Sequence, residues 1–352
     1  MADKAKIKSR FWWVVRNILF PVAGVLLLYV AFRGKDYSSI WEAMKEANLW
    51  WFFLPRIFML LSHWARAWRW VLQLRTFGHN TSIHTAFHAV LATFFVNIYL
   101  SKVGDFYRCW ALKETEQIPF SRSFGTLIME KLVDLIMLIG FFGLATILKY
   151  KEVSGFLKNQ IWNNLKEKVL LVLPQEYWLP LMGGFVLLAI IAFYIWRKYN
   201  SGQSTFQARI KEIFTNIWQG VISIKNIKNS SAFIALSFFI FLCYLINFQL
   251  CFYAMEGTAH LNIIDALFIF ATSAFSQAAP IQGNIGAFHW VVSESLQVLK
   301  ITPEIALAWA TAMHATGMVF RIVTGLISVL YLKSRGVGIA ALGKQNEEAH
   351  KG

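Results

Sequence analysis

The chain has 352 residues, 57% apolar, 16% aromatic and only 15% charged, with a formal net charge of +15 at pH 7. Soluble globular domains carry about a quarter charged residues, so this composition excludes an ordinary soluble enzyme and describes an all-α polytopic membrane protein. The cations flank apolar runs instead of forming a separate basic domain, which argues against nucleic acid as a partner and for anionic headgroups.

Lys4, Lys6, Lys8 and Arg10 precede an apolar run at about 11–32. That run has the roughly 20 residues a spanning helix needs and is too long for a signal-peptide core, so it reads as an uncleaved anchor with a cytoplasmic N-terminus. Apolar stretches follow at about 49–74, 84–112, 123–148, 179–197, 231–255, 263–299 and 304–332, separated by amphipathic linkers at 150–178 and 198–230. Arg66, Arg69 and Arg75 return the second stretch to the cytoplasm. Beside Trp68 and Trp70, Arg66 and Arg69 read as snorkelling anchors, with phosphate binding as the alternative.

The stretch 84–112 breaks at Ser101-Lys102-Val103-Gly104-Asp105. Its first arm, about 85–99, is roughly 22 Å long against a hydrocarbon core of about 30 Å. A re-entrant hairpin keeps both of its ends, with Lys113 and Arg122, in the cytoplasm. The stretch 263–299 breaks likewise at Pro280–Asn284 and reads as a second hairpin entering from the other face. The expected architecture is an inverted repeat of span, span, re-entrant hairpin, span, with about six full spans and two hairpins. Its halves lie at about 11–148 and 179–332 within one membrane domain, 1–340, followed by a polar tail at 341–352. The expected location is the cell inner (cytoplasmic) membrane with both termini cytoplasmic. Inverted repeats whose broken helices meet near the midplane are a recurring transporter plan.

Polar residues at membrane depth carry the chemistry. Lys102, Asp105 and Arg108 recur every third residue and share a face if the second arm of the first hairpin is helical. They form a headgroup site, two cations for phosphate and a carboxylate for an amine, or else an ion-paired turn. Glu130 and Asp134, one turn apart and beside Lys131, would each cost about 2.5–3.5 kcal/mol facing lipid at a helix centre. They need cationic partners, with Lys102, Arg108, Arg66 and Arg69 as candidates, and serve as a proton relay or a buried salt-bridge network.

In the second break Pro280, Gly283 and Gly286 supply the turn, and Gln282 and Asn284 offer amides. The helix beginning near Ile285 points its positive end at the same place; the alternative is a kink in a packed helix. His289 and Glu294 lie on the next arm. In the last span Arg321 is the stronger ligand candidate, and His314 reads as a hydrogen-bonded core histidine. His84 and His88 have a metal-compatible spacing but no third ligand, so no metal or other cofactor is expected. Cys109, Cys243 and Cys251 read as buried inert thiols, and 205–229 as an interfacial amphipathic helix. No zinc-protease, serine-hydrolase or P-loop motif is present, so no catalytic residue is assigned.

These blocks together resemble the lysylphosphatidylglycerol synthase transmembrane-region family, a flippase-like domain, over about 10–335. Asn97 through Arg108 resembles the family's Asn…Leu-Pro-x-Arg-x-Gly-Glu-x-x-Arg: Gly104 and Arg108 match, Lys102 replaces arginine, Asp105 replaces glutamate, and Leu100 stands in place of the proline. Glu130-Lys131-Leu132-Val133-Asp134 resembles Glu-Arg-x-x-Asp. Pro280 through His289 resembles Pro…Gly-Gly-x-Gly-x-x-Glu, with Asn284 for a glycine and His289 for the glutamate. The resemblance implies translocation of a phospholipid or lipid-linked molecule, its headgroup held between the hairpins. With no aminoacyl-transfer domain following, synthesis of the modified lipid is not expected. The alternatives are a non-catalytic partner of a lipid-modifying or envelope-assembly enzyme, and a membrane-embedded transferase using Asp105 or His289 as base. Homo-oligomerisation stays open.

Overall fold

The computed structural model describes residues 20–99, 103–163, 215, 227–278 and 281–337. The N-terminal cations, Lys102, Pro280, the expected span at 179–197, nearly all of the amphipathic segment 205–229 and the polar tail lie outside the described residues. Among those described, every regular element is a helix.

The first apolar run supplies α1 (Phe20–Phe32), whose Val25, Leu26 and Tyr29 face outward. After a turn at Gly34, α2 (Tyr37–Glu46) starts where the Asp36 carboxylate accepts hydrogen bonds from Ser38 N at 2.9 Å and Ser39 Oγ at 2.6 Å, an N-cap that satisfies an otherwise orphaned donor. A single turn, α3 (Trp50–Phe53), leads through Pro55 into α4 (Arg56–Arg75).

The third apolar stretch divides into α5 (Ile83–Tyr99) and α6 (Gly104–Glu116), the latter ended by Gln117 in the left-handed region. Next come α7 (Phe120–Leu148), α8 (Tyr150–Gly155) and a π-helical turn, Phe156–Asn163. The second half shows α9 (Ser230–Phe252), α10 (Glu256–Ala259) and α11 (Ile263–Ala278). It continues through a 3-10 turn (Gln282–Asn284), α12 (Ala287–Val298) and α13 (Pro303–Ser334).

Three of these, α7, α9 and α13, are long and apolar enough to cross a membrane. Their outward faces are aliphatic and aromatic: Leu135, Ile136 and Ile139 on α7, Ile234 and Phe238 on α9, Val323 and Ile327 on α13. Such a continuous apolar surface suits a lipid environment and not water. Two large clusters fill most of the described interior, one around Trp309, Phe248, Phe252 and Phe268, the other around Trp70, Leu74, Tyr107 and Leu112, with a small third at Ala145, Leu267 and Ala271. The two fully buried indoles are satisfied: Trp309 Nε1 donates to the Cys251 carbonyl and Trp70 Nε1 to Thr126 Oγ1, each at 2.9 Å.

Each broken stretch folds back on itself, α6 against α5 and α12 against α11. At the first break, Gly104 N donates to Asn97 Oδ1 at 2.8 Å, and a Cβ at Gly104 would collide with the Thr93 carbonyl. Only glycine permits that approach. At the second break, Gly286 (φ +82°) lies so close to the Gly24 backbone of α1 that no side chain fits there.

The far end of α7 is tied to the start of α11 by Lys149, whose Nζ sits 2.8 Å from Asp265 and 3.5 Å from Glu152. The hydrogen bond it donates to Asp265 is the main influence holding this ammonium above its usual 10.5. A raised lysine pKa stabilises the fold fully below the unfolded value and is lost as pH climbs through the folded one. Lys149→Met should therefore cost about 1 kcal/mol in detergent thermal melts from neutral pH to pH 9. The difference from wild type should shrink above about pH 10.5.

Candidate functional site

The buried side of α4 carries Arg56, His63 and Arg66 on one face, with Arg69 farther round the helix. Opposite it, α7 presents Glu130 and Asp134, one turn apart and about 15 and 21 Å along a helix of about 43 Å. Their partners are explicit in the structure. Arg66 Nη1 donates to Glu130 Oε1 at 2.6 Å and also to Asp134 Oδ2, while its Nη2 reaches the Tyr244 hydroxyl at 3.2 Å. Arg69 donates to Asp134 Oδ1 at 2.6 Å and to Ser237 Oγ at 3.1 Å. From α6, Arg108 grips both Glu130 oxygens at 3.2 Å and lies over the Trp70 ring. Asp105 stands 3.8 Å from Arg108 and 3.2 Å from Lys131.

The snorkelling reading of Arg66 and Arg69 is corrected by this geometry. Arg69 is fully buried and Arg66 is 8% exposed, and both turn toward the carboxylates. Of the two tryptophans that gave the sequence its interfacial look, Trp70 is fully buried and Trp68 packs edge-on against Trp64, 5.2 Å away on the same helix. A buried carboxylate pair offers the arginines far more than the headgroup level does, because each unpaired charge at depth is costly.

The second break is a hydrogen-bonded turn. Gly283 and Asn284 both take φ of +61°. Asn284 Nδ2 donates to Ser276 Oγ at 2.8 Å, and His314 Nε2 donates to the Gly283 carbonyl at 2.8 Å. His289 Nδ1 accepts from Gly286 N at 3.3 Å, and its ring lies 4.7 Å from that of His314. Both histidines thus hold the turn in shape. Glu294 lies farther along α12 and is half-buried.

Arg321 sits mid-way along α13 and donates from Nε to the Gly317 carbonyl at 3.2 Å. Among the described residues no carboxylate is within salt-bridge distance of it. Arg56, a residue the sequence did not single out, behaves the same way. It is 7% exposed and donates to Asn247 Oδ1 at 3.2 Å and to the Met313 carbonyl and Thr316 Oγ1 at 2.9 Å, all neutral acceptors. The one signal able to find it was its register with His63 and Arg66 on a single helical face.

A half-open pocket of about 350 Å³ lies where residues flanking the two breaks meet α1. It is lined by Gly24 and Val25 of α1, by Ile98 and Tyr99 at the first break, and by Ile281 and Gln282 at the second. Among the described residues no cluster of histidine, cysteine or carboxylate groups is arranged to hold a metal ion.

Residues 14–325 match the family model described as lysylphosphatidylglycerol synthase TM region. The chain belongs to the lysylphosphatidylglycerol synthase transmembrane-region family. Membership places it among membrane proteins of lipid metabolism or transport. Comparisons with curated proteins and with solved structures found no match. The family blocks anticipated from sequence fall at the two breaks and on the inner face of α7.

Glu130 neutralises two guanidinium groups at once, so Glu130→Gln should destabilise this family member by about 3–5 kcal/mol, the cost of stranding buried charge. A large drop in the thermal midpoint in detergent reads this out. Lys131→Met, at a side chain 53% exposed, should change stability by no more than about 1 kcal/mol.

Proposed function

We propose that this protein is a flippase-like transporter that moves a phospholipid or lipid-linked molecule across the cytoplasmic membrane. The headgroup enters between two re-entrant hairpins, α5–α6 and α11–α12, while the acyl chains stay in the bilayer. The observation that carries this reading is the half-open pocket lined jointly by the end of α5, by α1 and by Ile281, Gln282 and Ile285 of the second break. Its walls are mainly aliphatic, suited to the glycerol backbone and upper acyl segments. Asn97, Lys102, Pro280, Gln282, Asn284 and Gly286 cluster in sequence at the two tips, where polar groups can replace the water shed by a headgroup.

In this proposal the charges divide into two roles. Arg108, Glu130, Lys131 and Asp134, with Arg66, Arg69 and Asp105, form the framework that holds the first hairpin in place. Lys102, which the sequence puts between α5 and α6, and Arg321 of α13 meet the phosphate. α6 packs on α7 and α12 on α13, while α5 packs on α13 and α11 on α7; this reciprocal arrangement supports an inverted repeat in which one hairpin rocks against the other.

The test is translocation of a fluorescent phosphatidylglycerol in proteoliposomes, followed by chemical quenching of the outer leaflet. Wild-type protein should equilibrate the leaflets well above protein-free vesicles. Filling the cavity with Ile98→Trp should slow this at least tenfold while the protein stays monodisperse. Unaltered transport by that variant would remove the cavity from the mechanism.

A further inference from the structure

We propose that Arg56 and Arg321 together form a binding site for a phosphate-bearing anion, centred on the space in front of Gly317. The site deepens the transport reading above, and rests on it for a lipid headgroup as the natural source of the phosphate. Three observations converge on it.

The first is charge. The framework around Glu130 and Asp134 sets Arg66, Arg69, Arg108 and Lys131 against three carboxylates, counting Asp105. The second pair of arginines has no such counterweight among the described residues. Arg56 and Arg321 both come within about 4 Å of one point beside Gly317; Arg321 lies half-way along the spanning helix α13, and Arg56, the first residue of α4, reaches that helix at Met313 and Thr316. Like charges held together at membrane depth default to a ligand-binding role.

The second is geometry. A Cβ built at Gly317 has as its nearest neighbours Arg56 Nη1 at 3.8 Å, Arg56 Cζ at 3.9 Å and Arg321 Nη2 at 4.0 Å. The missing side chain leaves room that opens between two guanidinium groups. Planar guanidinium forks match the oxygens of phosphate in pairs, so one tetrahedral anion reaches both.

The third is preorganisation. Arg56 is fixed from three directions by Asn247, Met313 and Thr316. Arg321 is only half-buried, and its described hydrogen bond uses Nε, leaving both Nη groups for a ligand. The turn of α13 just before Gly317 carries His314, which holds the second break through Gly283. An anion at Gly317 therefore sits one helical turn from the hairpin tip.

The experiment titrates the purified full-length protein with dihexanoyl-phosphatidylglycerol and, separately, with inorganic phosphate, reading intrinsic tryptophan fluorescence and the thermal midpoint. Wild type should bind at least one of the two saturably. Arg321→Gln and Gly317→Val should each weaken that binding at least tenfold with the unliganded midpoint within a few degrees of wild type, and Arg321→Lys should keep part of it. Competition by inorganic phosphate would show that the free anion suffices; binding of the lipid alone would assign the site to headgroups. Arg56→Gln removes contacts that join α4 to α9 and α13, so Arg321→Gln and Gly317→Val decide the outcome if it does not fold. Unchanged binding in both variants, or saturable binding of neither ligand by wild type, would overturn the site. Binding without translocation would remove the transport reading and keep the site, whereas Arg321-independent binding with intact translocation would do the reverse.

Discussion

Two carboxylates one turn apart on α7 hold the centre of this molecule together. Glu130 and Asp134 draw Arg66 and Arg69 from α4 and Arg108 from α6 into a single lattice, with Tyr244 and Ser237 of α9 completing its edge. Each of those charges would be costly alone in hydrocarbon, so none of the four helices can move independently without exposing one. The lattice also sets where the first break lies. Arg108 is one turn into α6, so its grip on Glu130 holds Gly104 against Thr93 and Asn97, and the end of α5 at Ile98 and Tyr99 lies beside α1 and the second break.

The second break is built by different means. Its turn depends on positive-φ residues, on backbone-to-histidine hydrogen bonds and on glycine contact with α1. Among the described residues no ion pair lies there, and the nearest charges, Arg56 and Arg321, are both cations. The interior thus divides into a half whose arginines are paired with carboxylates and support the fold, and a half whose two arginines have none among the described residues and invite an anion. That division underlies the transport proposal: a headgroup site needs charge that the protein has not already satisfied.

Much of this was legible from composition and spacing. The expected stretches 123–148, 231–255 and 304–332 correspond to α7, α9 and α13 within a few residues. The breaks fall at Tyr99–Gly104 and Ala278–Ala287, because glycine, proline and polar residues interrupt otherwise continuous apolar runs. The need of Glu130 and Asp134 for cationic partners followed from the cost of charge in lipid. The direction in which Arg66 and Arg69 point did not follow, since arginine beside tryptophan suits an interface equally well. Arg56 stayed hidden because its acceptors lie 191 to 260 residues away and are neutral, so no local pattern betrays them. His289 stood at a family acidic position and suggested a ligand, whereas its ring accepts a hydrogen bond from the Gly286 backbone.

The decisive measurement for this division is a high-resolution structure of the full-length protein in nanodiscs containing phosphatidylglycerol, with the lipid phosphorus located in the density. The expected outcome is a phosphate within hydrogen-bonding distance of Arg56 and Arg321, and the Arg66, Arg69 and Arg108 pairs with Glu130 and Asp134 unbroken. A phosphate seated instead on Arg66, Arg69 or Arg108, with those ion pairs opened to receive it, would overturn the division.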